Sequence, residues 1–208
     1  KLLANQINPH FLYNTLEAIR MKALVEGNRE VANAIKLLSK SMRYVLSNTR
    51  TSYTTLQKEL DYINNYMTIM NLRFPDRINY DIAMDEGLMP SNCRILPLLL
   101  QPVIENAISH GLENKERNGH IILKLRLSQN NTLLRASVFD NGIGLSKQRL
   151  LDVTSHLETP PDDSEHGIGL YNINNRIRLS YGPEYGITIQ SKEHFGTCVT
   201  VTLPHIYF

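Results

Sequence analysis

The chain has 208 residues, 42% of them hydrophobic and 20% charged; this is the balance of an ordinary globular protein of one or two domains and excludes a disordered chain. Its formal net charge of +2 is too small to argue for a nucleic-acid partner, and no apolar run approaches the roughly 18 residues that a membrane span needs. Cys93 and Cys198 have neither metal-ligand spacing nor a disulfide framework and read as buried thiols in a reducing compartment, while the start at Lys1, with no initiator Met or targeting signal, reads as a piece of something longer.

From Lys1 to about Glu26, Leu3, Ile7, Phe11, Asn14, Ala18 and Val25 follow one helical stripe, and Leu12, Leu16, Ile19 and Ala23 follow another. A helix apolar on two sides needs two neighbours. Gly27-Asn28 breaks it, and Val31, Ala34, Ile35, Leu38, Met42, Val45 and Leu46 repeat at helical spacing as the second arm of a hairpin. That width of apolar surface suggests pairing with a second copy into a four-helix bundle. His10 follows Pro9, which removes a helix hydrogen bond and kinks the chain; alone, such a histidine is most often a packed or solvated residue rather than a functional one. Asn14, four residues on, shares its face and could serve chemistry at His10 or a backbone group loosened by Pro9.

Thr54 to Gln57 resembles a capping box, with Thr54 as N-cap and Gln57 at N3. Leu56, Leu60, Ile63, Met67 and Met70 then continue a helix leading out of the hairpin, ended by Phe74-Pro75-Asp76. The domain boundary is placed there, giving regions 1–74 and 75–208. Residues 77–84 alternate as a strand would. From Leu98 to Gly111 runs an apolar helix interrupted by Glu105, Asn106 and His110, the last two on one face. The alternating runs 120–128 and 132–140 are joined by Gln129-Asn130-Asn131 as a hairpin, and 186–192 with 196–203 form another. This predicts a mixed or antiparallel sheet covered on one side by helices, an α+β fold. Between them, Leu145 to His166 carries a short helical pattern over 146–157 and then a polar, proline-containing stretch expected to act as a lid. Arg176 and Arg178 read as solvated or paired.

Two glycine motifs carry the chemistry. Asp140-Asn141-Gly142-Ile143-Gly144 closes the strand-like run 133–139, where an Asp can accept a hydrogen bond from an exocyclic amine and glycines let a flat ligand approach the backbone. Gly167-Ile168-Gly169-Leu170 opens a helix, whose free N–H groups and dipole face an anion; Asn172 lies early in that helix. Each motif alone is also an ordinary turn or loop. With the segment around Asn106, whose oxygen suits a hard cation such as Mg²⁺ carrying triphosphate, they read as a nucleotide site with a base end and a phosphate end.

In order and content these three segments resemble the N, G1 and G2 boxes of the GHKL (Bergerat) ATP-binding fold shared by histidine kinases, Hsp90, gyrase and MutL. The resemblance implies that Asp140 holds the adenine amine, that Asn106 coordinates Mg²⁺ through the ATP phosphates, and that Gly142, Gly144, Gly167, Gly169 and Leu170 line the nucleotide. Beside an ATP site, His10 becomes the candidate phosphoacceptor, because a neutral imidazole can attack a phosphoryl group. Asn8-Pro9-His10-Phe11-Leu12-Tyr13-Asn14-Thr15-Leu16 resembles the H box of LytS/YesM-like sensor histidine kinases, as do the runs from Leu100 to Ala107 and from Gly167 to Ile173.

That narrower resemblance implies a dimeric helical phosphoacceptor region followed by an ATP domain, autophosphorylation of His10, transfer to an Asp of a response regulator, and a cytoplasmic position within a bacterial membrane receptor. The chain departs from commoner kinase patterns in two places. Phe11, rather than an acidic residue, follows the phosphoacceptor, which leaves Glu105 as the candidate general base. Ser109 stands where many N boxes carry a Lys, which leaves His110 as the candidate phosphate contact. The alternative reading is a nucleotide-binding pseudokinase or scaffold without kinase activity.

Overall fold

The computed structural model describes residues 9–48, 51–112, 115, 117–159 and 168–208. The segment before Pro9, and with it Leu3, Ile7 and Asn8, lies outside the described residues, as do Gly167 and the proline-containing stretch 160–166.

Helix α1 (Pro9–Val25) and helix α2 (Arg29–Asn48) form the expected hairpin. Their junction is set by two residues. Gly27 takes φ +75°, and the Gly27 and Asn28 amides donate back to Leu24 and Ala23, a Schellman closure that a left-handed glycine permits. Asn28 then caps the next helix, its side-chain oxygen accepting the Val31 N–H at 3.1 Å. Ala23 and Ala32 are buried between the arms, yet Phe11, Ile19, Leu24, Val25, Val31 and Leu38 are exposed. The hairpin thus covers only part of its apolar surface within one chain.

Strand β1 (Thr54–Thr55) pairs with β3 (Arg94–Ile95), and helix α3 spans Leu56–Arg73. Its N-cap is Thr55, one residue later than the sequence reading: the Thr55 hydroxyl accepts the Lys58 N–H at 3.3 Å. Both threonines lie in the β1–β3 ladder, but Thr54 is buried while Thr55, the residue directly before α3, turns its hydroxyl to the helix. Leu56, Leu60, Ile63 and Met67 bury the expected stripe, and the helix stops at Phe74, followed by Asp76 at φ +58°.

Five strands form a mixed sheet in the order β2-β4-β5-β7-β6: Ile78–Met84, Gly119–Leu127, Leu133–Asp140, Gly196–Pro204 and Gly186–Lys192. Only β2–β4 is parallel, because helix α4 (Gln101–Asn106) and the π-turn that continues it (Ala107–Gly111) lie on the crossover between them. Alternation turns Ile121, Leu123 and Leu125 of β4, Leu134, Ala136 and Val138 of β5, and Val199, Val201 and Leu203 of β7 to one face. There they join α3, α4 and helix α6 (Ile168–Tyr181) in one buried cluster. Residues 206–208 return to this layer: Cys93 bridges Tyr207, the Arg94 amide donates to Ile206 at 2.7 Å, and the Phe208 amide donates to Asn92 at 2.9 Å.

The helix expected from Leu98 starts only at Gln101. Leu98 sits at φ +53°, a left-handed geometry that cannot join an α-helix. Cys93 and Cys198 are both free thiols; burial pushes the Cys93 thiol up to about 11, while Cys198 is only half-buried.

Candidate active site

Asp140 is the last residue of β5 and shares its parity with Leu134, Ala136 and Val138, so the pleat that buries those residues also aims its carboxylate under the helices. Oδ1 accepts the Gly142 N–H at 2.8 Å and the Thr197 N–H at 3.3 Å. Burial pushes the Asp140 carboxyl above the usual carboxylate range, an effect these two amides and the charge of Lys115 only partly offset. The backbone closes tightly around it: a Cβ on Gly142 would stand 2.0 Å from the Gly111 carbonyl oxygen, and one on Gly111 would stand 2.8 Å from Asp140 Oδ1. Gly144, at φ +66°, lies equally close to the Lys192 carbonyl.

The loop is fixed from several sides. The Ile143 amide donates to Gly111, His194 donates to Ile143, and Leu145 donates to the Ser191 hydroxyl. Asn141 exchanges hydrogen bonds with His120 and donates to the Asn118 carbonyl, so within the motif it is a structural residue.

On the opposite wall, the Leu112 amide bonds to the Ala107 carbonyl at 2.9 Å, the five-residue spacing of a π-turn. This wider turn brings Asn106, His110 and Gly111 onto one cavity together with Asp140, Gly144, Gly169 and Leu170. A Cβ on Gly169 would come 3.9 Å from the Asn106 amide, so the N-box and G2 residues face each other. The cavity is about 310 Å³ and is walled by Val103, Val138, Ile143, Val153, Leu170 and Ile189. An apolar slot with one buried carboxylate and exposed backbone suits a planar base. Among the described residues, the Asn106 side chain has no hydrogen-bond partner, which leaves its oxygen available to a hard cation. The residues present therefore fit ATP with Mg²⁺.

Other expected site residues lie elsewhere. Glu105 is absent from the cavity lining; its carboxylate accepts from Gln101 Nε2 at 2.6 Å and faces the side of Tyr62 and Tyr66, and burial pushes its pKa up. Asn172 is exposed on α6, outside the lining. His10 is exposed on α1, where Asn14 Nδ2 lies 3.3 Å from its Nδ1, so Asn14 serves the imidazole ring. Arg176 donates to the Pro97 and Leu98 carbonyls, and Arg178 pairs with Glu158 at 3.2 Å.

Two polar lining residues escaped the sequence reading. Thr197 is placed by register, directly opposite Asp140 on β7, a signal visible only once the strands are paired. Arg149 stands in the first turn of helix α5 (Lys147–Ser155), whose N-cap Ser146 accepts its amide; without the fold it looks like any surface arginine.

Comparison with known proteins agrees with this geometry. The family described as "Histidine kinase" matches residues 1–78, and "Histidine kinase-, DNA gyrase B-, and HSP90-like ATPase" matches residues 95–206. Sensor histidine kinase YesM of Bacillus subtilis is 34% identical over 98% of this chain and 33% of its own length. Sensor protein kinase HptS of Staphylococcus aureus is 35% identical over 98% of this chain and 38% of its own. The chain therefore spans about a third of these relatives. The solved structure of histidine kinase ThkA in complex with response regulator protein TrrA shares the fold, with a TM-score of 0.53 at 16% identity over 98% of this chain and 60% of that one. The chain belongs to the histidine kinase-, DNA gyrase B- and HSP90-like ATPase family.

Proposed function

We propose that this chain is an ATP-dependent protein histidine kinase core, with region 1–74 presenting His10 and region 75–208 holding the nucleotide. The observation that carries this reading is the meeting of Asp140, Asn106 and Gly169, from three distant segments, on one cavity. The family matches divide the chain in similar places.

Asp140 would accept the adenine amine and Asn106 would hold Mg²⁺ against the phosphates, while His110 and the first turn of α6 would face the phosphate chain. Mg²⁺ supplies charge neutralisation at the transferring phosphoryl group. A His10 ring nitrogen attacks the γ-phosphorus; an N–P bond forms, the bond to the ADP oxygen breaks, and the ring proton passes to Glu105, whose carboxylate would first have to leave Gln101 and turn toward the cavity. The raised pKa of Glu105 suits a base. An Asp of a response regulator would then take the phosphoryl group, a partner suggested by the regulator bound to ThkA.

His10 does not line the cavity, so transfer requires the ATP domain to move relative to α1. The exposed apolar residues of the hairpin support a homodimeric four-helix bundle. Among the described residues no helix is long and apolar enough to cross a membrane. Both relatives are sensor kinases of which the chain spans about a third, and the proposal includes a cytoplasmic position within a membrane receptor.

The test is incubation of the chain and of His10→Ala with Mg²⁺ and γ-labelled ATP. Acid-labile, base-stable label, lost in the variant, is the expected result. Nucleotide binding without label would replace this reading with that of a pseudokinase.

A further inference from the structure

Glu59, in the first turn of α3, is 0% exposed. A buried carboxylate must be fully hydrogen-bonded to be tolerated, and this one has four donors. Oε1 accepts the Leu99 and Leu100 amides at 2.7 and 2.9 Å, and Oε2 accepts the Leu98 amide at 3.0 Å and the Tyr44 hydroxyl. Three of the four are successive amides at the start of α4. Leu100 is the N-cap of that helix and has no side chain able to cap it. Glu59 thus holds, from another helix, the N-cap residue of α4 and the two residues that lead into it.

The same loop is gripped on its carbonyl side by Arg176, which donates to Pro97 at 2.7 Å and Leu98 at 3.3 Å. Held between the two, Leu98 takes φ +53°, a geometry that a branched side chain keeps only where its surroundings enforce it.

The fourth donor comes from a different unit. Tyr44 belongs to α2, the arm paired with the helix that carries His10, and its ring packs on Tyr62 of α3 at 4.7 Å. Burial and the charge of Glu59 hold its hydroxyl pKa far above the usual tyrosine range, so it stays a donor.

We propose that Tyr44 and Glu59 are positioning residues that couple the phosphoacceptor hairpin to the nucleotide cavity. Displacing α2 withdraws the Tyr44 hydroxyl from the carboxylate that fixes the start of α4. That helix has six residues and ends at Asn106, so a shift at its first turn is carried to the phosphate end. Asp140, on β5, is untouched, and the base end stays as it was. This inference rests on the nucleotide reading above.

The experiment uses Tyr44→Phe, which keeps the ring stack, and Glu59→Gln, which keeps the shape. Hydrogen exchange at Leu98, Leu99 and Leu100 is measured first, then the Kd of Mg-ATP and of adenosine. In Tyr44→Phe the three amides should exchange faster, Mg-ATP binding should weaken by roughly 3–10-fold, and adenosine binding should stay within about twofold. Glu59→Gln should change the same quantities in the same direction by more. Unchanged exchange in Tyr44→Phe would overturn the coupling, and equal losses for Mg-ATP and adenosine would reduce both residues to general stability. A wild-type chain that binds no Mg-ATP would sink the nucleotide reading instead, and the exchange data would still judge the Tyr44–Glu59 contact.

Discussion

At the scale of single residues, the site turns on one carboxylate under strain from its surroundings. The Asp140 pKa is raised by burial against only two amide donors and a nearby lysine charge. The sign follows. A raised folded-state pKa means the protonated form is favoured by folding, so its contribution to stability is full below the unfolded pKa and is lost as pH rises through the folded one. The ionised form is the one that accepts an amine. ATP affinity should therefore fall as pH is lowered through the raised pKa, which titration of a fluorescent ATP analogue would follow. Asp140→Asn should weaken ATP binding by about 1.5–3 kcal/mol, roughly 10–100-fold in Kd, remove that pH dependence and leave the melting temperature unchanged or higher. The placing of Asp140, Asn106, Gly144 and Gly169 on one cavity was legible in the sequence because their chemistry is local to short motifs. Thr197 and Arg149 were not, because they reach the site through strand register and helix docking. The placement of Glu105 off the cavity was equally hidden: one step along a helix rotates a side chain by about 100°, and only the π-turn fixes which side faces the nucleotide.

At the scale of elements, strand alternation and the breaks at Gly27-Asn28 and Phe74-Pro75-Asp76 gave boundaries within a residue or two. The exceptions have physical causes. Thr55 caps α3 because it directly precedes Leu56, where the helix begins, while the Thr54 side chain is buried. The helix expected from Leu98 begins later because Leu98 to Leu100 turn their amides to Glu59, a contact 39 to 41 residues away that no local pattern announces. The close approach of the π-turn to the loop after β5 makes a sharp prediction. In Gly142→Ala the added methyl would meet the Gly111 carbonyl at 2.0 Å, and neither backbone can yield without parting the turn from the sheet. The variant should lose roughly 1–3 kcal/mol of stability and most of its nucleotide affinity, measured by thermal melting and by the same titration.

At the scale of the whole molecule, the hairpin and the sheet meet different needs. Phe11 is 66% exposed and Val25 85%, surface that a second hairpin would cover. Replacing Ile19 and Leu38 together by Asp should cost the dimer about 3 kcal/mol or more, a factor of at least about 100 in its Kd. Light scattering would report the monomer, and ATP binding should be unchanged because neither residue lines the cavity. The hairpin, whose contacts are local, can form as soon as it is made. The ATP domain cannot: residues 206–208 lie against 92–94, and Leu56 in turn donates to Cys93. A ribosome adding about 5–20 residues per second takes on the order of ten seconds between the start of α3 and the strand that completes this layer. Through that interval the apolar stripe of α3 lacks its completed layer, so this half of the chain folds only once residues 206–208 have left the ribosome and is the half that a chaperone would meet.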